Sequence, residues 1–170
     1  MNLTTHVKTL LTLAVLAVLL FVGITFGWSA MTEPFPHTAA TKICYPTRLE
    51  PGDRVSAPKV TVSVFNASTR IGLAESTMSA FENQGFGPGS VGNAPKNAVI
   101  HYAQIWAQNR NDPAVRLVAS RLGPNAAIVA KKHAGPGVVV MVGPLFQKLV
   151  EGKQSTKVTS PTTICSPPTS

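Results

Sequence analysis

The sequence predicts an α+β fold, a two-layer sandwich in which two helices cover one face of a four- to five-stranded sheet. Three patterns indicate the element order β-α-β-β-α-β-β within residues 59–150. A run of alternating valines leads into a helical pattern, a second helix has start and stop signals, and two hydrophobic runs follow it.

The first strand and helix are predicted on either side of a polar turn. Valines in residues 60–65 alternate with polar side chains, which is the period of a half-buried strand. Residues 66–69, Asn-Ala-Ser-Thr, interrupt this pattern with side chains that favour turns and helix N-caps. Helical spacing follows over residues 73–81, and Gly85 lies where a left-handed C-cap is expected.

Gly72 is unusual, because a glycine in the first turn of a helix costs about 0.5–1 kcal/mol relative to alanine. One interpretation is that the helix start packs closely on the strand. The other is that free backbone N–H groups of the helix N-terminus admit an anionic ligand. The candidate binding residues are Asn66, Ser68, Thr69, Arg70 and Gly72, although capping and turn formation explain the same residue types.

The remaining strands are predicted from short hydrophobic runs. Glycine and proline make any strand over residues 86–91 short or bent. Residues 98–102 alternate and predict a third strand that contains His101. Two further strands are expected at residues 126–130 and 138–142.

The second helix has the most complete boundary signals of the chain. Asp112 is expected to be its N-cap and Pro113 to occupy its first turn. Gly123 is expected to end it.

Residues 10–30 predict a transmembrane anchor. Residues 9–32 carry no charge, and about 20 apolar residues suffice to span a bilayer. A cleavable signal peptide is the competing interpretation, but its apolar region is normally roughly 7–15 residues long. A cut after Ala30 would also place bulky Trp28 at the −3 position. The positive-inside rule keeps residues 1–9 in the cytoplasm.

The predicted layout is that of a single-pass protein of the cell membrane with its folded body outside. Its parts are a cytoplasmic N-terminus (1–9), an anchor (10–30), a Pro-rich spacer (31–58), the folded body (59–150) and an extended polar tail (151–170).

The part outside the membrane is basic. It holds 14 of the 15 Lys and Arg residues and all 7 Asp and Glu residues, which gives a net charge of +7. Such a charge suits an anionic lipid or an acidic wall polymer, although scattered charges also serve solubility. Nucleic acid is not expected as a partner of a translocated domain.

Cys44 and Cys165 are the two cysteines, and both follow the apolar run. An even count in an oxidising compartment predicts one disulfide. The alternative is a redox or metal pair. Without a CxxC motif and further ligands, two cysteines make a poor zinc site.

A series of short motifs resembles the LytR C-terminal domain family. The motifs are Val62-x-Val64-x-Asn66-Ala67-Ser68, Gly72-Leu73-Ala74, Gly85-Phe86, Ile100-x-Tyr102, Leu122-Gly123 and the run 138–143. Their order and spacing cover residues 59–146. The whole layout is similar to free-standing mycobacterial members concerned with envelope integrity.

The resemblance implies an accessory or binding domain outside the membrane. Many family members also carry a LytR-CpsA-Psr catalytic domain, which attaches glycopolymers to the wall. Too few residues lie between Trp28 and Lys59 to form that domain. The transferase activity is therefore not expected in this chain.

No catalytic residue, metal site or cofactor is predicted, since HExxH, GxSxG and P-loop motifs are absent from the sequence. The predicted function is non-enzymatic support of the envelope through an unidentified wall polymer, anionic lipid or envelope-assembly protein. The alternatives are an enzyme acting on envelope glycans or lipids, and a structural partner acting through its transmembrane helix.

Overall fold

The computed structural model describes residues 3–32, 43–132 and 135–168. The chain divides into two compact units, Met1–Thr41 and Lys42–Ser170. The second unit contains the predicted sandwich.

The first unit contains one helix, α1 (Leu3–Thr32). Its apolar side chains between Leu10 and Phe26 are exposed. In the described part of the chain, no helix combines the length and apolar character that crossing a membrane requires. The anchor over residues 10–30 therefore remains a prediction.

The second unit contains nine strands and two α-helices in its described residues. They are β1 (Tyr45–Leu49), β2 (Arg54–Ser56), β3 (Thr61–Asn66), α2 (Leu73–Asn83), β4 (Gly87–Asn93), β5 (Ala103–Trp106), α3 (Pro113–Leu122), β6 (Ala126–Val129), β7 (Val138–Val142), β8 (Ser155–Lys157) and β9 (Thr162–Ser166). A 3-10 turn, Ala57–Lys59, precedes β3. From β3 to β7 the order is β-α-β-β-α-β-β, so the predicted α+β order is confirmed.

A mixed five-stranded sheet has the order β4-β3-β7-β5-β6. Strand β3 is parallel to both β4 and β7, and β5 is antiparallel to β7 and parallel to β6. Because side chains alternate along a strand, Val140 and Val142 point toward both helices while Val139 and Met141 line the other face. Both α2 and α3 therefore cover one face, as predicted.

The second unit also contains two short antiparallel ribbons, each separate from this sheet. Strand β1 pairs antiparallel with β9, and β2 pairs antiparallel with β8. Cys44 and Cys165 form the predicted disulfide, with their Cα atoms 5.4 Å apart and a sequence separation of 121 positions. These strands lie within the ranges expected to be spacer and tail.

The third strand was predicted at the wrong place. It covers Ala103–Trp106, whereas residues 98–102 form a loop and His101 is exposed. Ile100 is 4% exposed and packs on the second face of the sheet, while Val99 is exposed. In this loop Ile100 is buried and Tyr102 half-buried while Val99 and His101 are exposed, so it produces the same alternation as a strand.

Candidate functional site

Three loops meet where β3 and β7 end and β5 begins. The register places Val142 opposite both Asn66 and Ala103, so these strand ends share one edge of the sheet. We call residues 66–72, 94–102 and 143–148 the carboxyl-edge surface. Ligands of open sheets with parallel strands commonly bind beyond the carboxyl ends of those strands.

Backbone hydrogen bonds join the three loops. The Ala94 N–H donates to the Asn66 carbonyl at 2.8 Å, and the Leu145 N–H donates to the His101 carbonyl at 2.9 Å. The Ala67 N–H donates to the Val142 carbonyl at 2.8 Å. The loops therefore form one connected surface.

Asn66 organises the turn after β3. Its Oδ1 accepts from the Ser68 backbone N–H at 2.9 Å and from the Ser68 hydroxyl at 2.8 Å. Its Nδ2 donates to the Arg70 carbonyl at 2.7 Å, and the Arg70 N–H donates to Ser68 Oγ at 3.1 Å. This is the side-chain-to-backbone pattern that makes Asn and Ser frequent in turns.

Arg70 connects this turn to the loop after β7. Its Nη1 donates to the Phe146 carbonyl at 2.6 Å and to the Pro144 carbonyl at 3.3 Å. Arg70 is exposed as a residue, so its positive charge lies at the surface while its donors order the backbone. Charged donors make the stronger class of hydrogen bond.

Gly72 precedes helix α2 and does not occupy its first turn. Its φ is +74°, a left-handed conformation that glycine adopts readily. An added Cβ would meet no atom within 4 Å, so the close-packing interpretation of Gly72 is wrong. Glu75, in the first turn of α2, complements the positive end of the helix dipole.

The structure thus brings the side chains of Asn66 and Ser68 together with the backbone of Arg70. Thr69 and Gly72 lie beside them and are exposed. Much of this polar chemistry is used within the turn itself. What the loop offers to a ligand is a cationic side chain on an ordered backbone.

Sequence reasoning missed the apolar tips of the carboxyl-edge surface. Ile71, Val99 and Leu145 are 101%, 78% and 62% exposed. The sequence pattern groups Ile71 with the apolar face of the first helix, because it precedes Leu73 and Ala74. The glycine that follows it was the available signal, since Gly72 adopts a left-handed conformation at the N-cap and Ile71 therefore lies before helix α2.

A cavity of about 290 Å³ lies at the opposite edge of the sheet. Its lining includes Val60, Thr61, Trp106, Asp112, Gly137 and Ile164. The Asp112 carboxylate is engaged there as the N-cap of α3, accepting from the Ala114 and Val115 N–H groups. This size is at the lower limit of small-molecule sites.

Over the described ranges, no group of three His, Cys, Asp or Glu residues is placed to hold a metal ion. Asp112 is occupied as a helix cap, and His101 is exposed on a loop.

Comparisons with known proteins give a family and a similar solved structure. The family model LytR_C, described as "LytR cell envelope-related transcriptional attenuator", matches residues 59–146, which is 88 of the 170 residues. No curated protein matches the chain. A crystal structure of the soluble domain of a conserved hypothetical secreted protein from Mycobacterium marinum is similar, with 22% identity and a TM-score of 0.49, over 62% of this chain and 80% of that chain.

Proposed function

The chain belongs to the LytR_C family, and from this premise we propose that it is a non-enzymatic, extracytoplasmic protein that supports the cell envelope by binding one of its components. The observation that carries the proposal is the extent of the family match. It spans residues 59–146, which contain both sandwich helices and all five strands of the main sheet.

The carboxyl-edge surface is the proposed binding region. It includes Asn66, Ser68, Thr69, Arg70 and Gly72, which form an ordered turn with an exposed cation. An ordered surface loses little conformational entropy when it binds. The ligand is a wall polymer, an anionic lipid or an envelope-assembly protein.

Helix α1 is the proposed membrane anchor, with the N-terminus in the cytoplasm. Support comes from the uncharged run over residues 9–32 and from the exposed apolar side chains between Leu10 and Phe26. The Cys44–Cys165 disulfide supports an oxidising compartment for the second unit.

A deletion strain tests the envelope role. We expect deletion to raise permeability to large or detergent-like compounds, and the wild-type chain to restore the barrier. Arg70→Gln should restore it less well, whereas Arg116→Gln, on an exposed position of α3, serves as the charge-matched control. Unchanged permeability after deletion would overturn the proposal.

A second measurement separates binding from catalysis. Purified protein is incubated separately with wall fragments and with lipids. Each mixture is then analysed for bound protein and for new products. Saturable binding without product supports the binding role. Turnover of glycan or lipid would contradict the binding role and support the enzymatic alternative.

A further inference from the structure

The largest exposed apolar side chains of the second unit lie on one edge. Within the described residues of that unit, Ile71, Val99 and Leu145 are the three most exposed large hydrophobic residues. Each lies on a different loop of the carboxyl-edge surface. Single exposed apolar residues are common on proteins, so the distinguishing feature of these three is that their loops share one edge of the sheet.

The loops that carry these side chains are held together. Arg70 Nη1 bonds to the Phe146 carbonyl, and the Leu145 N–H bonds to the His101 carbonyl. Beneath the surface, the rings of Tyr102 and Phe146 pack edge to face with centroids 5.4 Å apart. Ile71, Val99 and Leu145 therefore project from loops that hydrogen bonds and ring packing hold together.

The charge of these loops has one sign. Arg70, Lys96 and Lys148 are exposed, and none of the three segments contains Asp or Glu. In the described part of the chain the single ion pair joins Arg48 and Glu50, so no carboxylate there pairs with these cations. Exposed cations beside exposed apolar side chains complement an anionic, amphipathic partner.

We propose that the carboxyl-edge surface docks onto an anionic lipid bilayer. Ile71, Val99 and Leu145 enter the boundary between headgroups and acyl chains, and the three cations face lipid phosphates. This inference rests on the proposed function and names its ligand class. It matches the chemistry of peripheral membrane binding, in which buried apolar area and attraction to anionic lipids act together.

A protein partner fits this surface less well. The cores of protein interfaces are enriched in aromatic residues. Here Tyr102 is partly buried and Phe146 is fully buried beneath the surface. A glycan would need free hydrogen-bonding groups, but the side chains of Asn66 and Ser68 form their hydrogen bonds within the turn.

The test uses the full chain, in which α1 can itself bring the protein to a bilayer. Binding to vesicles would therefore not report on the loops, so a local measurement is needed. We would compare amide hydrogen exchange in nanodiscs of phosphatidylcholine alone and in nanodiscs with one-third phosphatidylglycerol. We expect slower exchange in residues 66–72, 94–102 and 143–148 on the anionic discs, and no change in the β2–β8 ribbon.

Two sets of variants separate the apolar and charged contributions. Replacing Ile71, Val99 and Leu145 together with serine should abolish the protection. Lys96→Gln should weaken it about fivefold, which corresponds to about 1 kcal/mol for one cation at an anionic surface. Lys157→Gln, on β8, is the charge-matched control and should leave protection unchanged.

The outcomes also distinguish this inference from the proposed function. Equal exchange on neutral and anionic discs, or full protection in the triple serine variant, overturns lipid docking. If deletion still weakens the envelope in that case, the proposed function stands and the ligand is a wall polymer or a protein. Thermal unfolding of each variant checks that the fold is kept.

Discussion

Arg70 donates through Nη1 to the main-chain carbonyl of Phe146 at 2.6 Å, across 76 residues of sequence. The same nitrogen lies 3.3 Å from the Pro144 carbonyl. One side chain thus connects the turn after β3 to the loop after β7. This contact explains how a short polar turn becomes part of a larger ordered surface.

Removing the Arg70 donors should destabilise the fold. We expect Arg70→Met to lower the free energy of unfolding by about 1–2 kcal/mol, because two carbonyls lose a charged donor. Arg70→Lys should recover part of this loss, since lysine keeps the charge but not the planar fork. Urea unfolding provides the measurement. Arg116→Met should change stability by less than about 0.5 kcal/mol, and an equal loss in both Met variants would contradict the role of Arg70.

Asn66 supports its turn through both ends of its amide. We expect Asn66→Ala to cost about 1–2 kcal/mol, because three hydrogen bonds are lost. Asn66→Asp should cost less, since a carboxylate still accepts from Ser68 but cannot donate to the Arg70 carbonyl. Denaturant midpoints measure the relative stability of the wild type, Asn66→Ala and Asn66→Asp. Asn83→Ala, at an exposed position of α2, is the control, and the prediction fails if Asp is as damaging as Ala.

Two glycines with positive φ should respond differently to alanine. At Gly72, with φ +74° and open space, Gly72→Ala should cost about 1 kcal/mol. At Gly137, with φ +69°, an added Cβ would overlap the Thr61 carbonyl, so Gly137→Ala should cost about 3 kcal/mol. Thermal unfolding of both variants tests the difference. Equal losses would show that the space around each glycine does not matter.

The Cys44–Cys165 disulfide should contribute strongly to stability. Its cysteines are 121 residues apart, and the chain-entropy model gives about 4–5 kcal/mol for closing such a loop. We expect the Cys44→Ser/Cys165→Ser double variant to lose most of this amount in urea unfolding. The wild type measured with a reductant should behave like the variant. Equal stability of the oxidised and double-serine proteins would contradict a stabilising role.

Local signals explain why α3 could be predicted from sequence. Asp112 precedes Pro113, and its Oδ1 accepts from the Ala114 N–H at 2.8 Å. Gly123 follows the last helical residue. Every group that sets these ends lies within the helix or next to it, so the sequence pattern and the observed structure agree.

The third strand shows where local patterns are insufficient. Residues 98–102 alternate like a strand, yet pairing with β7 begins at Ala103, opposite Val142. A strand exists where a neighbouring backbone supplies hydrogen bonds, and that neighbour lies far along the chain. The β1–β9 and β2–β8 pairs were not predicted for the same reason, since the two strands of each pair lie far apart along the chain.

The turn after β3 was predictable from its residues, whereas the larger surface around it was not. Asn66, Ser68 and Arg70 were identified from the turn that they form. These residues share one surface with residues 94–102 and 143–148 because β3 pairs parallel with β7 and β5 pairs antiparallel with β7. The exposure of Val99 and Leu145 follows from that arrangement.

The sequence by itself determined the α+β class, the order of helices and strands from β3 to β7, the family and the paired cysteines. Each of these depends on spacing, capping or composition, which act between near neighbours or on the chain as a whole. Tertiary structure alone decided which loops share an edge, where β5 lies, and that Val99 and Leu145 are exposed on that edge. Those features depend on pairing between distant segments, which no local pattern encodes.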